Sequence, residues 1–226
     1  MKFELVVARY REDTRWLRRV PKAFRVTVYD KDHHAGSPNP LPNVGREAHT
    51  YLHHIIARYD SLADVTVFSQ GKPFDHVSDF HYVLRDLADG RRHIENFLWL
   101  GFIIDRDDRT GSHLFQNWSK NTDRQPLAMD AFFHAVWHHA APDEFIFYPG
   151  AHFVVTAEVI RRQPREFYER AQAASLSVRD AAHCFERCWD HVFGVAGVPP
   201  ELIRAGLPAY FKPIRRLAVA HASREG

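Results

Sequence analysis

Between residues 3 and 68 the chain switches hydrophobic period repeatedly, and that switching restricts the fold more than any other feature of the sequence. Residues 3–8, Phe-Glu-Leu-Val-Val-Ala, read as a strand. A polar turn, Arg9-Tyr10-Arg11-Glu12-Asp13, follows, and a short helix over 14–20 is expected to stop at Pro21. Residues 24–29 give a second strand. After a loop rich in Gly, Ser, Pro and Asn, the residues Ala48, Tyr51, Leu52, Ile55, Ile56 and Tyr59 recur at the spacing of one helix face. Residues 65–68 are a third strand. This alternation predicts parallel strands joined by right-handed crossovers: an α/β single domain with a mostly parallel central sheet flanked by helices.

Ligands of such sheets collect beyond the carboxyl ends of the strands. The residues expected there are polar: Arg9, Tyr10 and Glu12 after the first strand, Asp30 and Asp32 after the second, and Ser69, Gln70 and Gly71 after the third. The helix entered through Asn43-Val44-Gly45-Arg46-Glu47 belongs to the same edge. Asn43 is expected to cap it, Gly45 lacks a Cβ that would obstruct close approach, and Arg46 with the free backbone N–H groups makes a positive end that favours an anion.

Farther along, residues 81–87 suggest a turn or two of helix. Residues 97–104 read as one apolar strand or buried segment running into Asp105-Arg106-Asp107-Asp108. Acidic residues two apart at a strand end can hold a hard divalent cation, although the same run suits a solvated turn. A helix is expected over 129–139, extended chain over 144–148 and 152–155 with a tight bend between, and Thr156 as the cap of the next helix. Pro164 opens a helix over 165–173. Ser177 and Asp180 have capping-box spacing ahead of a helix over 178–193 that Gly194 stops. On that helix His183, Glu186 and Asp190 share a polar side that faces either a pocket or water.

Composition removes several function classes. Lys plus Arg total 30 against 28 Asp plus Glu, a formal charge of +2, too balanced for the basic face that a nucleic-acid polymer requires. No apolar run reaches the length of a membrane span, and the first residues form a strand pattern in place of a secretory signal, so a cytoplasmic protein is expected. Cys184 and Cys188 lie four apart on a helix and are expected to be reduced thiols; with His191 they make only an incomplete zinc set. His49 and His53 have helical metal-ligand spacing but no intervening Glu, and no P-loop, nucleophile elbow or dinucleotide fingerprint occurs.

Several stretches together carry a resemblance to a known family. They are residues 4–13 with Trp16, residues 41–52, residues 64–71, Gly150-Ala151 with Phe153, Arg162-x-Pro164 with Phe167-Tyr168, and Glu186-Arg187-x-Trp189 with Phe193-Gly194. The chain resembles the domain of unknown function family 3431 over residues 3–194. More distantly its order of parts is similar to nucleotide-sugar glycosyltransferases of the GT-A fold. That similarity implies a GT-A-like domain over 1–194 and an extension over 195–226, packed on it or trailing from it. It implies a nucleotide-sugar donor and a hydroxyl acceptor as partners, with Arg9, Tyr10 and Glu12 near the nucleoside and Asn43, Gly45 and Arg46 near the diphosphate or sugar. Where such enzymes carry a metal-binding Asp-x-Asp, this chain has Ser69-Gln70-Gly71, so either the divalent metal, Mn or Mg, is absent or it is held elsewhere, with Asp105 and Asp107 as the candidates.

Sugar transfer needs a base for the acceptor hydroxyl and positive charge for the departing diphosphate. On the transfer reading Glu186 is expected as the base, Asp75 as its alternative, and Arg46 and Arg9 for the leaving group. Asp30, Glu47 and Gln70 complete the expected binding edge. Two other readings compete: a nucleotide- or carbohydrate-binding protein without catalysis, and a hydrolase holding metal on Asp30, Asp32, His33 and His34.

Overall fold

The computed structural model describes residues 1–32, 36–112, 125–204 and 209–210. A five-stranded sheet runs in the order β2-β1-β3-β7-β4, built from β1 (Phe3–Arg9), β2 (Phe24–Asp30), β3 (Val65–Gln70), β4 (Phe97–Trp99) and β7 (Phe153–Thr156). Strand β1 pairs in parallel with both β2 and β3, as the alternation predicts. Beyond β3 the sheet changes direction: β7 is antiparallel to both β3 and β4. The sheet is therefore mixed, which corrects the expectation of a mostly parallel one. The reason is local, because β7 enters through the bend after Tyr148, where Gly150 (φ 103°) and Ala151 (φ 53°) turn the chain back along β3.

The apolar runs are continuous because both faces of the sheet are covered. On one face Val6, Phe68, Phe153 and Val155 pack with α1 (Arg46–Arg58), α3 (Met129–Trp137), α5 (Arg165–Ser177) and α6 (Ala181–Phe193). On the other, Leu5, Val7, Val65, Val67 and Val154 pack with α2 (Phe80–Ala88). Alternate residues of each strand thus enter opposite cores, as the two-residue strand period requires. Each such buried Val or Phe contributes roughly 1.5–3 kcal/mol of transfer free energy. The expected helix over 14–20 is a 3-10 helix, Arg15–Arg19, anchored where Trp16 Nε1 donates to the Gly71 carbonyl at 2.8 Å.

Two excursions leave the central sheet and build one wall of the site. The segment expected as a single strand over 97–104 is two: β4 stays in the central sheet, whereas β5 (Ile103–Asp108) pairs with β6 (Glu144–Phe147) and with β8 (Ala209–Tyr210) in a separate antiparallel sheet. Residues 144–148 and 152–155 likewise fall in different sheets. The remaining α-helices of the described residues are the short α4 (Ala157–Ile160) and α7 (Pro200–Arg204); Thr156 Oγ1 accepts from Val159 N at α4, as expected of a cap.

Two capping expectations fail. Helix α1 begins at Arg46 with Gly45 as its N-cap in the left-handed region, and no side chain caps it; Asn43 is exposed nearby. Glycine is required there, since a Cβ on Gly45 would sit 2.7 Å from His49 Cβ and 3.1 Å from the Ser175 carbonyl oxygen. Ser177 closes α5 in place of capping α6, whose N-cap Asp180 is left-handed and makes no side-chain cap bond. Among the described residues no helix is long and apolar enough to cross a membrane.

Candidate ligand-binding cleft

The polar strand ends and the start of α1 meet in two cavities. The smaller, about 380 Å³, is walled by Arg9, Tyr10 and Glu12 from the exit of β1, Lys31 from the exit of β2, and Asn43 and Glu47 at the start of α1. The larger, about 910 Å³, lies between Gly45, His76, Asp105 on β5, Phe147 and Pro149 beyond β6, and His183, Glu186 and Arg187 on α6. Arg46 and Gln70 line both. The cleft thus sits at the carboxyl ends of β1 and β3, where loops diverge and backbone groups are free to meet a ligand.

Loop 43–46 is held from below. Lys31 is 3% exposed, and its Nζ donates to the Val44 carbonyl at 2.5 Å and to the Arg46 carbonyl. Burial pulls its pKa down to about 8, against the opposing pull of Glu47. Arg46 itself is exposed, left-handed at φ 47°, and in ion-pair contact with no carboxylate among the described residues. Its Nη1 lies 3.5 Å from His183 Nε2. Arg9 is already matched: Nη1 donates to Asp30 Oδ2 at 2.7 Å and Nε to the Glu12 carbonyl at 3.0 Å. Asp30, 5% exposed, stands behind the cavity wall as the partner of Arg9.

Glu186 lies in the large cavity with its carboxylate fixed. Oε1 accepts the Gly150 N–H at 2.6 Å, Oε2 is 3.6 Å from His183 Nδ1, and Arg187 Nη1 is 3.8 Å away. Burial alone would raise its pKa, but the His183 ring, the Arg187 charge and the Gly150 N–H outweigh it and hold the carboxyl at about 2. Gly150 can deliver that N–H only as glycine, since a Cβ would reach 2.4 Å from His76 Cγ. Glu47 is displaced the other way: burial and the nearby Glu186 charge push its pKa up.

Arg187 is almost wholly buried and fully occupied. Nε and Nη2 reach Asp107 Oδ2 at 2.9 and 2.5 Å, Nη1 donates to the His183 carbonyl at 2.9 Å, and the guanidinium lies 4.9 Å from the Phe147 ring centroid. Asp107, one of the two expected metal ligands, is paired with Arg187 at 1% exposure. Asp105 alone of that pair lines the cavity. Among the described residues no group of three or more His, Cys, Asp and Glu side chains is arranged to hold a metal ion.

Other expectations sort by position. Asp75, the alternative base, is exposed, paired with Lys72 at 3.0 Å, and lines neither cavity. Asp32 pairs with Arg11 at 2.7 Å, and His33 and His34 lie outside the described residues. Cys184 and Cys188 are both fully buried, and burial pushes both thiols up, Cys184 to about 12. His49 and His53 stack at 6.4 Å on α1, and burial lowers both pKa values, to about 4 for His49. Asp190 is packed away at 9% exposure, so of the polar side of α6 only His183 and Glu186 face the cleft. Lys31 and His76 line the cleft without having been singled out from the sequence, and Arg187 entered only through the Glu186-Arg187-x-Trp189 motif; Lys31, one residue past a strand end, carried a positional signal.

Comparison with curated proteins yields no match. A family described as protein of unknown function (DUF3431) has a model that matches residues 5–201, and the chain belongs to that family.

Proposed function

We propose that the cleft binds a nucleotide sugar and transfers its sugar to a hydroxyl acceptor. The observation that carries this reading is the pair of unequal cavities sharing Arg46 and Gln70 beside the N-terminus of α1. The smaller has the size and the aromatic and polar lining for a nucleoside, from Arg9, Tyr10 and Glu12. The shared wall supplies an exposed guanidinium and the first amides of a 13-residue helix, a setting that favours a diphosphate. The larger cavity leaves room for sugar and acceptor together. The three parallel strands β2, β1 and β3, with the cleft at the carboxyl ends of β1 and β3, support the reading at the level of fold without fixing it.

The metal of such enzymes has an altered setting in this chain. Gln70 stands at the end of β3 and Asp107 is held by Arg187, which leaves Asp105 as the acidic side chain from that run in the cavity. Arg46 and the helix terminus are then the natural counter-charge for the leaving diphosphate. The same setting favours a second reading, a nucleotide-sugar-binding protein without turnover.

A thermal-shift screen against nucleoside diphosphates and nucleotide sugars, each with Mn²⁺ and with a chelator, tests the proposal. A ligand at ~100 times its dissociation constant stabilises the folded state by about 2.7 kcal/mol. The expected result is a shift for one nucleotide that survives chelation and disappears in Arg46→Ala. No shift with any nucleotide overturns the reading; a shift without sugar transfer to any acceptor or to water selects the binding-only alternative.

A further inference from the structure

His183 and Glu186 are one helical turn apart on α6 and both line the large cavity. Glu186 is held from behind by the Gly150 N–H at 2.6 Å and by Arg187 at 3.8 Å. Its Oε2 faces His183 Nδ1 at 3.6 Å, and the other ring nitrogen, Nε2, faces Arg46 Nη1 at 3.5 Å. A guanidinium offers only N–H donors. An Nε2 that presents its lone pair to it carries the ring proton on Nδ1, on the side of the carboxylate.

We propose that His183 Nε2 is the proton acceptor for the substrate hydroxyl in this cleft, and that Glu186 is the positioning residue that fixes the ring's tautomer and steadies the imidazolium once formed. The inference rests on the sugar-transfer reading and moves the base from Glu186, where the sequence suggested it, to its neighbour. The Glu186 carboxylate, already accepting the Gly150 N–H at 2.6 Å with Arg187 beside it and held at about 2, is a weak proton acceptor near neutrality, whereas an imidazole nitrogen with an open lone pair can take the proton. As the acceptor oxygen bonds to the sugar's anomeric carbon, its proton passes to Nε2. The bond from that carbon to the phosphate oxygen breaks, and its electron pair leaves with the nucleoside diphosphate. Arg46 links the two ends of the step: a diphosphate bound against it competes for the guanidinium and leaves Nε2 open to the hydroxyl.

Two measurements on the full chain test this. The first is ¹⁵N NMR of the imidazole nitrogens, with the His183 signals identified by their loss in His183→Asn. The expected result is an Nδ1–H tautomer in the wild type and a larger Nε2–H share in Glu186→Gln; an Nε2–H wild type, or no response to Glu186→Gln, overturns the dyad. The second is turnover of whichever nucleotide sugar gives a thermal shift. His183→Asn, with His183→Gln as a second variant, should lower turnover about 100- to 10,000-fold while the nucleotide-induced shift remains. Undiminished turnover with the shift intact overturns His183 as acceptor and leaves sugar transfer standing. A wild type that no nucleotide shifts overturns the transfer reading and with it the acceptor role, while the tautomer still decides the dyad.

Discussion

Lys31 Nζ donates to the Val44 carbonyl at 2.5 Å and also to the Arg46 carbonyl, so an ammonium from the exit of β2 ties down the loop that starts α1. The tether explains how Arg46 keeps a left-handed backbone with no capping side chain at the helix start. Hydrogen bonds from a charged donor contribute roughly 1.5–3 kcal/mol each, with strong dependence on context. Lys31→Met should destabilise the fold by about 1–3 kcal/mol in urea and speed amide exchange at residues 44–47. Unchanged exchange there would show that the loop is held by other contacts.

Arg187 and Asp107 form a buried pair 80 positions apart in the chain. Removing one partner strands the other, at a cost of about 3–5 kcal/mol, whereas removing both often costs little. Arg187→Met should be strongly destabilised, and adding Asp107→Asn should recover much of the loss. A double variant as unstable as the single would mean that Arg187 acts through its stacking on Phe147 instead.

Gly45, at the start of α1, lies close against Ser175 on α5. An alanine there would adopt a left-handed backbone and press on His49 and Ser175. Gly45→Ala should lower stability by at least ~1 kcal/mol from the backbone term, with further loss from the contact. Denaturation of Gly45→Ala beside an exposed control such as Gly90→Ala, also at positive φ but with nothing within 4 Å of its Cβ, separates the two contributions.

Glu4 supplies an acid-side signature. Burial of this fully enclosed side chain would raise its pKa, but His54, Arg25 and Thr27 outweigh that and bring it to about 2 from an ordinary 4.5. A depressed carboxyl stabilises the fold above its unfolded value and loses that contribution as pH falls through its folded value. The contribution, about 3 kcal/mol at one pKa unit per 1.36 kcal/mol, should be present above pH 4.5 and vanish between there and pH 2. Urea titrations of wild type and Glu4→Gln should show a stability gap that closes across this window; a constant gap would mean that Glu4 is not held charged.

The strands β1, β2 and β3 and the face of α1 were legible because each depends on neighbours within a few residues: alternation for strands, three- and four-residue spacing for the helix. The cleft's location followed from the polar residues at Arg9, Asp30 and Gln70, since strand ends fix where loops must lie. What escaped was set by distant contacts. Asp105 and Asp107 are equivalent in the sequence, yet only the fold decides that Arg187 takes one of them. Asn43 is the better cap by composition, but the squeeze between His49 and Ser175 gives the position to Gly45. Residues 97–104 look like one strand because apolar content does not reveal a change of sheet.

The sealing of Cys184 and Cys188 gives this chain an internal clock. Both side chains are fully buried and their thiols are held protonated, so a thiol reagent should leave the native molecule unmarked and modify two sulfurs each time α6 is exposed. The rate of that modification, read without any introduced dye, would report how often the helix carrying His183 and Glu186 comes away from the sheet.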